Sequence, residues 1–255
     1  MMKKRMTVLA LGFVAVFCAG QEAAAQIPTT GPMALVEIDW STLDIRTFDL
    51  GLGAPSYALS NQYSDSTVWV GANNVYDYAD NWSPGTMASS YSPLGFGYAA
   101  SLNGTVIKAE AGLDEMTAGN VSAWSNYGAV LTITGTGLLS VMVDYTWKVE
   151  LVEGQEGNQY ASAWCSIDLD SEDYTHGGRG YASGYLTTPI LDDVFVDEES
   201  GRLVASLYVT DGMIVHMTGS THADVSAAPV PIPSALWLLG SGVFGLLVRK
   251  KKNLA

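Results

Sequence analysis

The feature that most constrains this 255-residue chain is an uninterrupted alternation from Leu139 to Leu151. One parity carries Leu139, Val141, Val143, Tyr145, Trp147, Val149 and Leu151, and the other carries Ser140, Met142, Asp144, Thr146, Lys148 and Glu150. Successive side chains of a strand point to opposite faces. Period two over this length therefore predicts a strand with its apolar row on a core and its polar row outside. Nothing in the body competes with it as a helix. Ala111 to Tyr127 has some helical spacing, but Gly112, Gly119 and several Ser, Thr and Asn residues interrupt it. The alternation of strands and helices that marks an α/β enzyme is absent.

Other segments read the same way. Met33 to Trp40 and Ile45 to Leu50 are short candidate strands, as are Ser56 to Leu59 and Thr67 to Val70. Tyr98 to Leu102 and Thr105 to Ala111 flank Asn103-Gly104, a strong hairpin signal. Ala129 to Thr134 leads through Gly135-Thr136-Gly137 into the long alternation. Arg202 to Thr210 shows Leu203, Ala205, Leu207 and Val209 on one face, and Asp211-Gly212 is read as turning it back antiparallel into Met213 to Thr218. Between Gly71 and Leu94 turn-forming residues dominate, so a long surface excursion with exposed aromatics is expected there. About nine short strands with glycine punctuation predict an all-β antiparallel β-sandwich, jelly-roll-like, over residues 26–226.

Composition restricts the partners. Of 26 acids and 12 bases in the chain, the segment from Gln26 to Val230 holds 25 acids and five bases, a net charge of −20. Such a surface repels nucleic acid and anionic polymers. Cys18 falls in the N-terminal leader, which leaves Cys165 as the one cysteine of the body and permits no internal disulfide. Cys165 shares its parity with Ala161, Ala163, Ile167 and Leu169, the pattern of a small core hydrophobe.

Sites are sparsely marked. Acids cluster at Asp168, Asp170, Glu172 and Asp173, and again at Asp192, Asp193, Asp197, Glu198 and Glu199. Carboxylates are what calcium takes, and the first cluster is the better calcium candidate. It nonetheless lacks the sixth-position glycine and closing glutamate of a calcium loop, so a solvated acidic surface is the competing reading. A glycosidase would need two carboxylates facing each other across a cleft, which no spacing here specifies. His176, His216 and His222 have no zinc spacing. Phosphate-binding glycine loops and nucleophile elbows are missing, so no catalytic residue and no cofactor is assigned. Tyr76, Tyr78, Trp82 and Tyr91 are candidates for stacking on sugar rings, with Trp124 and Tyr127 in similar surroundings. The alternative is that these rings cover the ends of the sandwich.

The two termini carry a different message. Lys3, Lys4 and Arg5 precede an apolar run from Met6 to Phe17, and Ala23-Ala24-Ala25 supplies small residues, the order of a secretory signal cut after Ala25. Bulky Phe17 before Cys18 argues against lipid attachment at that cysteine. At the other end, Val230 to Val248 is uncharged and is followed by Arg249, Lys250, Lys251 and Lys252. Nineteen residues make about 28 Å of helix, close to the ~30 Å hydrocarbon core of a bilayer. A transmembrane helix over 233–248 is expected, its basic end cytoplasmic and the body outside.

Residues 227–255 closely resemble the PEP-CTERM sorting signal of Gram-negative bacteria in its Val-Pro-x-Pro variant. The matching parts are Val230-Pro231-x-Pro233, the Ser234 to Leu239 stretch, Gly240-Ser241-Gly242 and the basic run Arg249 to Lys252; Ile232 stands where the name-giving motif has glutamate. The resemblance covers about the last 25 residues. It implies cleavage by signal peptidase and handling by an exosortase, a membrane-embedded cysteine transpeptidase acting near the proline motif. It also implies association with exopolysaccharide, biofilm or floc matrix. The body is similar to sandwich ectodomains found upstream of such tails, which favours a jelly roll. The expectation is a non-catalytic exported surface or matrix protein. A carbohydrate-binding module is the alternative, and a secreted hydrolase a more distant one.

Overall fold

The computed structural model describes residues 31–83, 85–92, 95–102, 104–113, 118–152, 159–171, 180–187 and 196–228, of which 102 and 180–187 are described in backbone only. The signal at 1–25, the tail helix at 233–248 and the sorting residues Val230, Pro231, Pro233 and Arg249 to Lys252 lie outside these residues, as do Glu172, Asp173, Asp192 and Asp193. Among the described residues no helix is long and apolar enough to cross a membrane.

The described chain is all β, twelve strands in two antiparallel sheets that form a sandwich. They are β1 (Met33–Phe48), β2 (Ser56–Val70), β3 (Asn73–Ala79), β4 (Gly85–Ser92), β5 (Gly95–Leu102), β6 (Val106–Leu113), β7 (Gly119–Thr134), β8 (Gly137–Glu150), β9 (Gln159–Ser171), β10 (Gly180–Thr187), β11 (Val196–Val209) and β12 (Ile214–Ala227). The first sheet runs β11-β8-β1-β6-β5-β4 and the second β10-β9-β12-β7-β2-β3. Each strand of one sheet packs over the strand at the same position in the other, from β11 over β10 to β4 over β3. The first and last strands thus face each other across the core instead of pairing.

The alternation at Leu139 to Leu151 does what its period requires. Leu139, Val141, Val143 and Val149 are fully buried and Trp147 nearly so, while Thr146 is exposed and Lys148 and Glu150 are half-exposed and ion-paired to each other. Strand β9 buries Ala161, Ala163, Cys165, Ile167 and Leu169, so Cys165 packs as a core residue, outside any disulfide. Strand β11 buries Leu203, Ala205, Leu207 and Val209. Its other residues include Asp197, Glu198, Glu199 and Arg202. Charges suit an edge strand, whose unpaired backbone would otherwise template association.

Four sequence expectations are corrected. Ser56 to Leu59 and Thr67 to Val70 are not separate strands but parts of β2, with a register shift between Ser60 and Tyr63. Met33 to Phe48 is one strand, not two: a register shift between Asp39 and Asp44 absorbs the polar residues there, and Trp40 within it turns into the core. The segment from Gly71 to Leu94 is not a loop excursion. It contains the edge strands β3, exposed along nearly its whole length, and β4, which buries only Thr86 and Ala88, and their high Asn, Ser and Tyr content reflects that exposure. Finally, Asp211-Gly212 does not close a hairpin. Strand β11 pairs with β8 in the first sheet, whereas β12 pairs with β7 and β9 in the second, so the turn carries the chain across the sandwich. Both strands have an apolar row to bury, and crossing over lets the two rows enter the core from opposite sides. The strands β5 and β6 on either side of the Asn-Gly signal do pair antiparallel, up to Leu102 opposite Val106.

A cluster of rings closes one side of the core. Trp40 meets Trp82 edge-on at 5.5 Å between centroids and lies 5.6 Å from Tyr127, and Trp82 is 5.8 Å from Tyr127. The indole of Trp82 donates to the Gly128 carbonyl at 2.8 Å. Trp40 needs the missing side chain of Gly219: a Cβ there would sit 2.4 Å from its ring. Beside this cluster a buried hydroxyl chain crosses between the sheets, with Ser66 Oγ 3.0 Å from both Thr86 Oγ1 and Ser125 Oγ, and Ser101 bonded to Ser125 in turn. Every one of these hydroxyls has a partner, as burial demands.

Candidate ligand-binding face on the second sheet

The register of the second sheet places one row of residues side by side on its outer surface. Tyr76 of β3 is opposite Thr67 of β2, Thr67 opposite Trp124 of β7, Trp124 opposite His222 of β12, and His222 opposite Trp164 of β9. Alternation shows that the row points outward, because the chain neighbours Ala123 and Ser125 of Trp124 are fully buried. Tyr76 is 60% exposed and Trp124 is 39% exposed. The aromatic positions fall on alternate strands, spaced by about 9–10 Å of backbone. The two indoles lean together over His222, which is 5.5 Å from each, and their own centroids are 6.4 Å apart.

Both tryptophans are held by hydrogen-bond chains that end on a carboxylate. Trp124 Nε1 donates to Asn126 Oδ1 at 2.9 Å, and Asn126 Nδ2 donates to Asp65 Oδ2 at 2.9 Å. Trp164 Nε1 donates to His222 Nδ1 at 2.7 Å. An indole N–H can only donate, so Nδ1 is the acceptor nitrogen and the ring proton belongs on Nε2. There it faces Ser122 Oγ at 2.9 Å and Asp224 Oδ2 at 3.1 Å. The local code is simple. Trp124 and Asn126, like His222 and Asp224, are two apart on a strand and so share its outer face.

The two carboxylates respond in opposite directions. Burial pushes the Asp65 carboxyl above its ordinary value of 3.8, and the bond from Asn126 offsets this only in part. For Asp224 burial pulls upward too, but His222 and Ser122 together outweigh it and hold the carboxyl below 3.8. The folded state therefore binds the Asp65 proton more tightly than the unfolded chain does. The stability that this contributes is present in acid and lost as pH rises from 3.8 through the raised value. Asp65→Asn removes that loss while keeping an acceptor for Asn126. The expected result is a higher urea midpoint at pH 7 than the parent chain, with the difference shrinking toward pH 3.5. Equal midpoints at both pH values would contradict it.

Ser122, His222 and Asp224 do not make a catalytic triad. A nucleophilic serine needs one imidazole nitrogen and the orienting carboxylate the other, whereas here both oxygens address Nε2 and the Trp164 indole occupies Nδ1. What the arrangement can do is hold two aromatic rings at fixed angles on a rigid sheet, the pre-organisation that a binding site requires.

The aromatics singled out from the sequence do not gather in one groove. Tyr76 and Tyr78 lie on this face, and Tyr78 stacks on Tyr63 at 6.4 Å with planes 19° apart. The Tyr63 ring lies over Gly128, where a Cβ would come within 2.0 Å of it. Trp82 is half-buried in the ring cluster of the core and Tyr127 is fully buried there, so these two cover the side of the sandwich. Tyr91 is 68% exposed but stands on β4, on the outer face of the other sheet. Sequence reasoning missed Trp164 and the pairing of His222 with it; the signals at hand were Trp124-x-Asn126 and His222-x-Asp224. Asp168 and Asp170 share the outward parity of β9, with Thr218 and His216 opposite them on β12. Among the described residues no three His, Cys, Asp or Glu side chains are grouped to hold a metal ion.

Fold and face together define an antiparallel β-sandwich with an aromatic strip fixed on one outer sheet surface. Comparison with family models, with curated proteins and with solved structures finds no match to this chain.

Proposed function

We propose that this is a non-catalytic protein exported to the cell surface or extracellular matrix. In this reading signal peptidase releases it after Ala25, the C-terminal helix holds it with the body on the periplasmic side, and an exosortase then processes it near Val230-Pro231-x-Pro233. The observation that carries the proposal is where the sandwich stops. Strand β12 ends at Ala227, three residues before Val230, so all twelve described strands are complete without the tail. The twelve described strands draw on none of the apolar stretch or its four cations, as an address at the tail requires. We take the jelly-roll-like description as part of the same proposal, in an expanded form where β1 is bracketed by β6 and β8 instead of pairing with the last strand. Calcium at Asp168 and Asp170, with Glu172 and Asp173, is not needed for this role.

Intact mass and cell fractionation test the proposal together. The expected mature chain begins at Gln26, has lost its tail near the proline motif and is recovered outside the cytoplasm. A native chain that keeps Met1 and Ala255 and stays in the cytoplasm overturns it. A carbohydrate-binding role is the second reading, favoured by the two tryptophans oriented on the outer face of the second sheet.

A further inference from the structure

We infer that the outer face of the second sheet binds a neutral, extended polysaccharide, with Trp124 as the principal stacking platform, Tyr76 as its flank and Trp164 completing the strip. The inference deepens the carbohydrate-binding reading and rests on export, which brings the face to such polymers. Three observations carry it. The first is orientation. A surface indole ordinarily moves freely, but here exposed Trp124 is tied through its N–H by Asn126 and Asp65, and half-buried Trp164 by His222. Fixing a ring before binding removes ordering cost from the bound state and does nothing comparable for a merely solvated surface.

The second observation is spacing. Tyr76, Trp124 and Trp164 stand on alternate strands of one transverse row, and Thr67 and His222 separate them. The step from Tyr76 to Trp124, about 9–10 Å of backbone, suits alternate rings of an extended pyranose chain running across the strands, while Trp164 leans on Trp124 with centroids 6.4 Å apart and extends that platform. Apolar sugar faces would rest on the rings, and the half-exposed Asn126 and Ser122 border the row with groups that hydrogen-bond hydroxyls.

Charge is the third. The body from Gln26 to Val230 carries a net −20, and Asp65 and Asp224 flank the strip, so a polyanion is repelled. The same charges disfavour a second copy of this chain, which would bring like carboxylates together face to face.

The test uses the full chain, purified from the cell fraction in which it accumulates, with microcrystalline cellulose and soluble hydroxyethylcellulose as neutral probes and alginate as the anionic one. Wild-type protein is expected to be depleted by cellulose, to be retarded in gels containing hydroxyethylcellulose and to ignore alginate. Trp124→Ala should weaken retention by roughly tenfold or more. Trp124→Phe, which keeps a ring but loses its tether, should fall between. Tyr76→Ala, at a more exposed position, should weaken retention with no change in unfolding midpoint, and Tyr91→Ala on the other sheet should change nothing. Wild type that ignores both neutral probes, equal binding to alginate, or full retention by Trp124→Ala each overturns the inference. So does sedimentation showing a dimer that Trp124→Ala abolishes without any glycan retention. A correctly trimmed, exported chain that binds no glycan sinks this inference alone. An untrimmed cytoplasmic chain sinks the export proposal beneath it.

Discussion

Val143→Asp is expected to leave the chain without a cooperative unfolding transition at 25 °C. Val143 is fully buried at the middle of β8, paired with Leu203 of β11 and flanked along its own face by Val141 and Tyr145. Strand β8 is paired on both sides, by β11 and β1, so it cannot shift sideways to bring a new side chain to water. A one-residue slip would turn its entire apolar row outward. The new carboxylate would lie between Val141 and Tyr145 and opposite Leu203, in a core cluster that holds no Lys or Arg among the described residues. Burying an unpaired charge costs several kcal/mol, about 3–5 or more, against a total stability on the order of 5–15. Val143→Ala, which leaves a small cavity but no charge, should cost roughly 2 kcal/mol and keep the transition. Circular dichroism through a urea titration separates the two. A near-parental midpoint for Val143→Asp would mean that this parity of β8 does not face the core.

Trp40→Ala is the second large effect, about 3–5 kcal/mol by the usual scale for deleting a buried indole. Trp40 is 2% exposed, and it supports Trp82 and Tyr127 while lying over Gly219. Deleting it opens a void that these neighbours cannot fill without giving up bonds. Trp82 would have to leave the Gly128 carbonyl, and Tyr127 the Gly104 amide that donates to its hydroxyl at 2.9 Å. Trp40 also carries a cost of its own, since its Nε1 is buried without a hydrogen-bond partner among the described residues. Trp40→Phe loses volume but also removes that unsatisfied donor, so it should cost less than half of Trp40→Ala. Urea midpoints for the pair check the ordering. A phenylalanine variant as unstable as the alanine one would show that the smaller ring recovers nothing, and that the fit of the whole indole or its N–H is what matters.

Together these substitutions test the two ways the fold encloses its core, by alternating strands and by rings that close one side. The second was only half legible beforehand. Trp82 and Tyr127 sit in polar sequence surroundings that resemble a binding loop, and their inward direction follows from partners far along the chain, Trp40 and Gly128. Tyr91 shows the converse. Its exposure was foreseeable, but its placement on the first sheet, away from Tyr76 and Tyr78, depends on β4 lying across the sandwich from β3.

By itself the sequence determined which side of each long strand is apolar: Val143 in β8, Cys165 in β9 and Leu203 in β11 follow from parity, because side chains alternate along a strand whatever lies beside it. It also determined that the described body is all β, that the strands flanking the Asn-Gly signal pair with each other, and that the body is acidic. Tertiary structure alone decided which strands are neighbours. Asp211-Gly212 crosses between sheets because β12 is paired on both sides by β7 and β9, and Trp124, Trp164 and His222 meet only because that pairing brings three distant segments into one row. Alternation is a property of a single strand, whereas neighbour choice depends on which buried faces can be closed against one another across the whole chain.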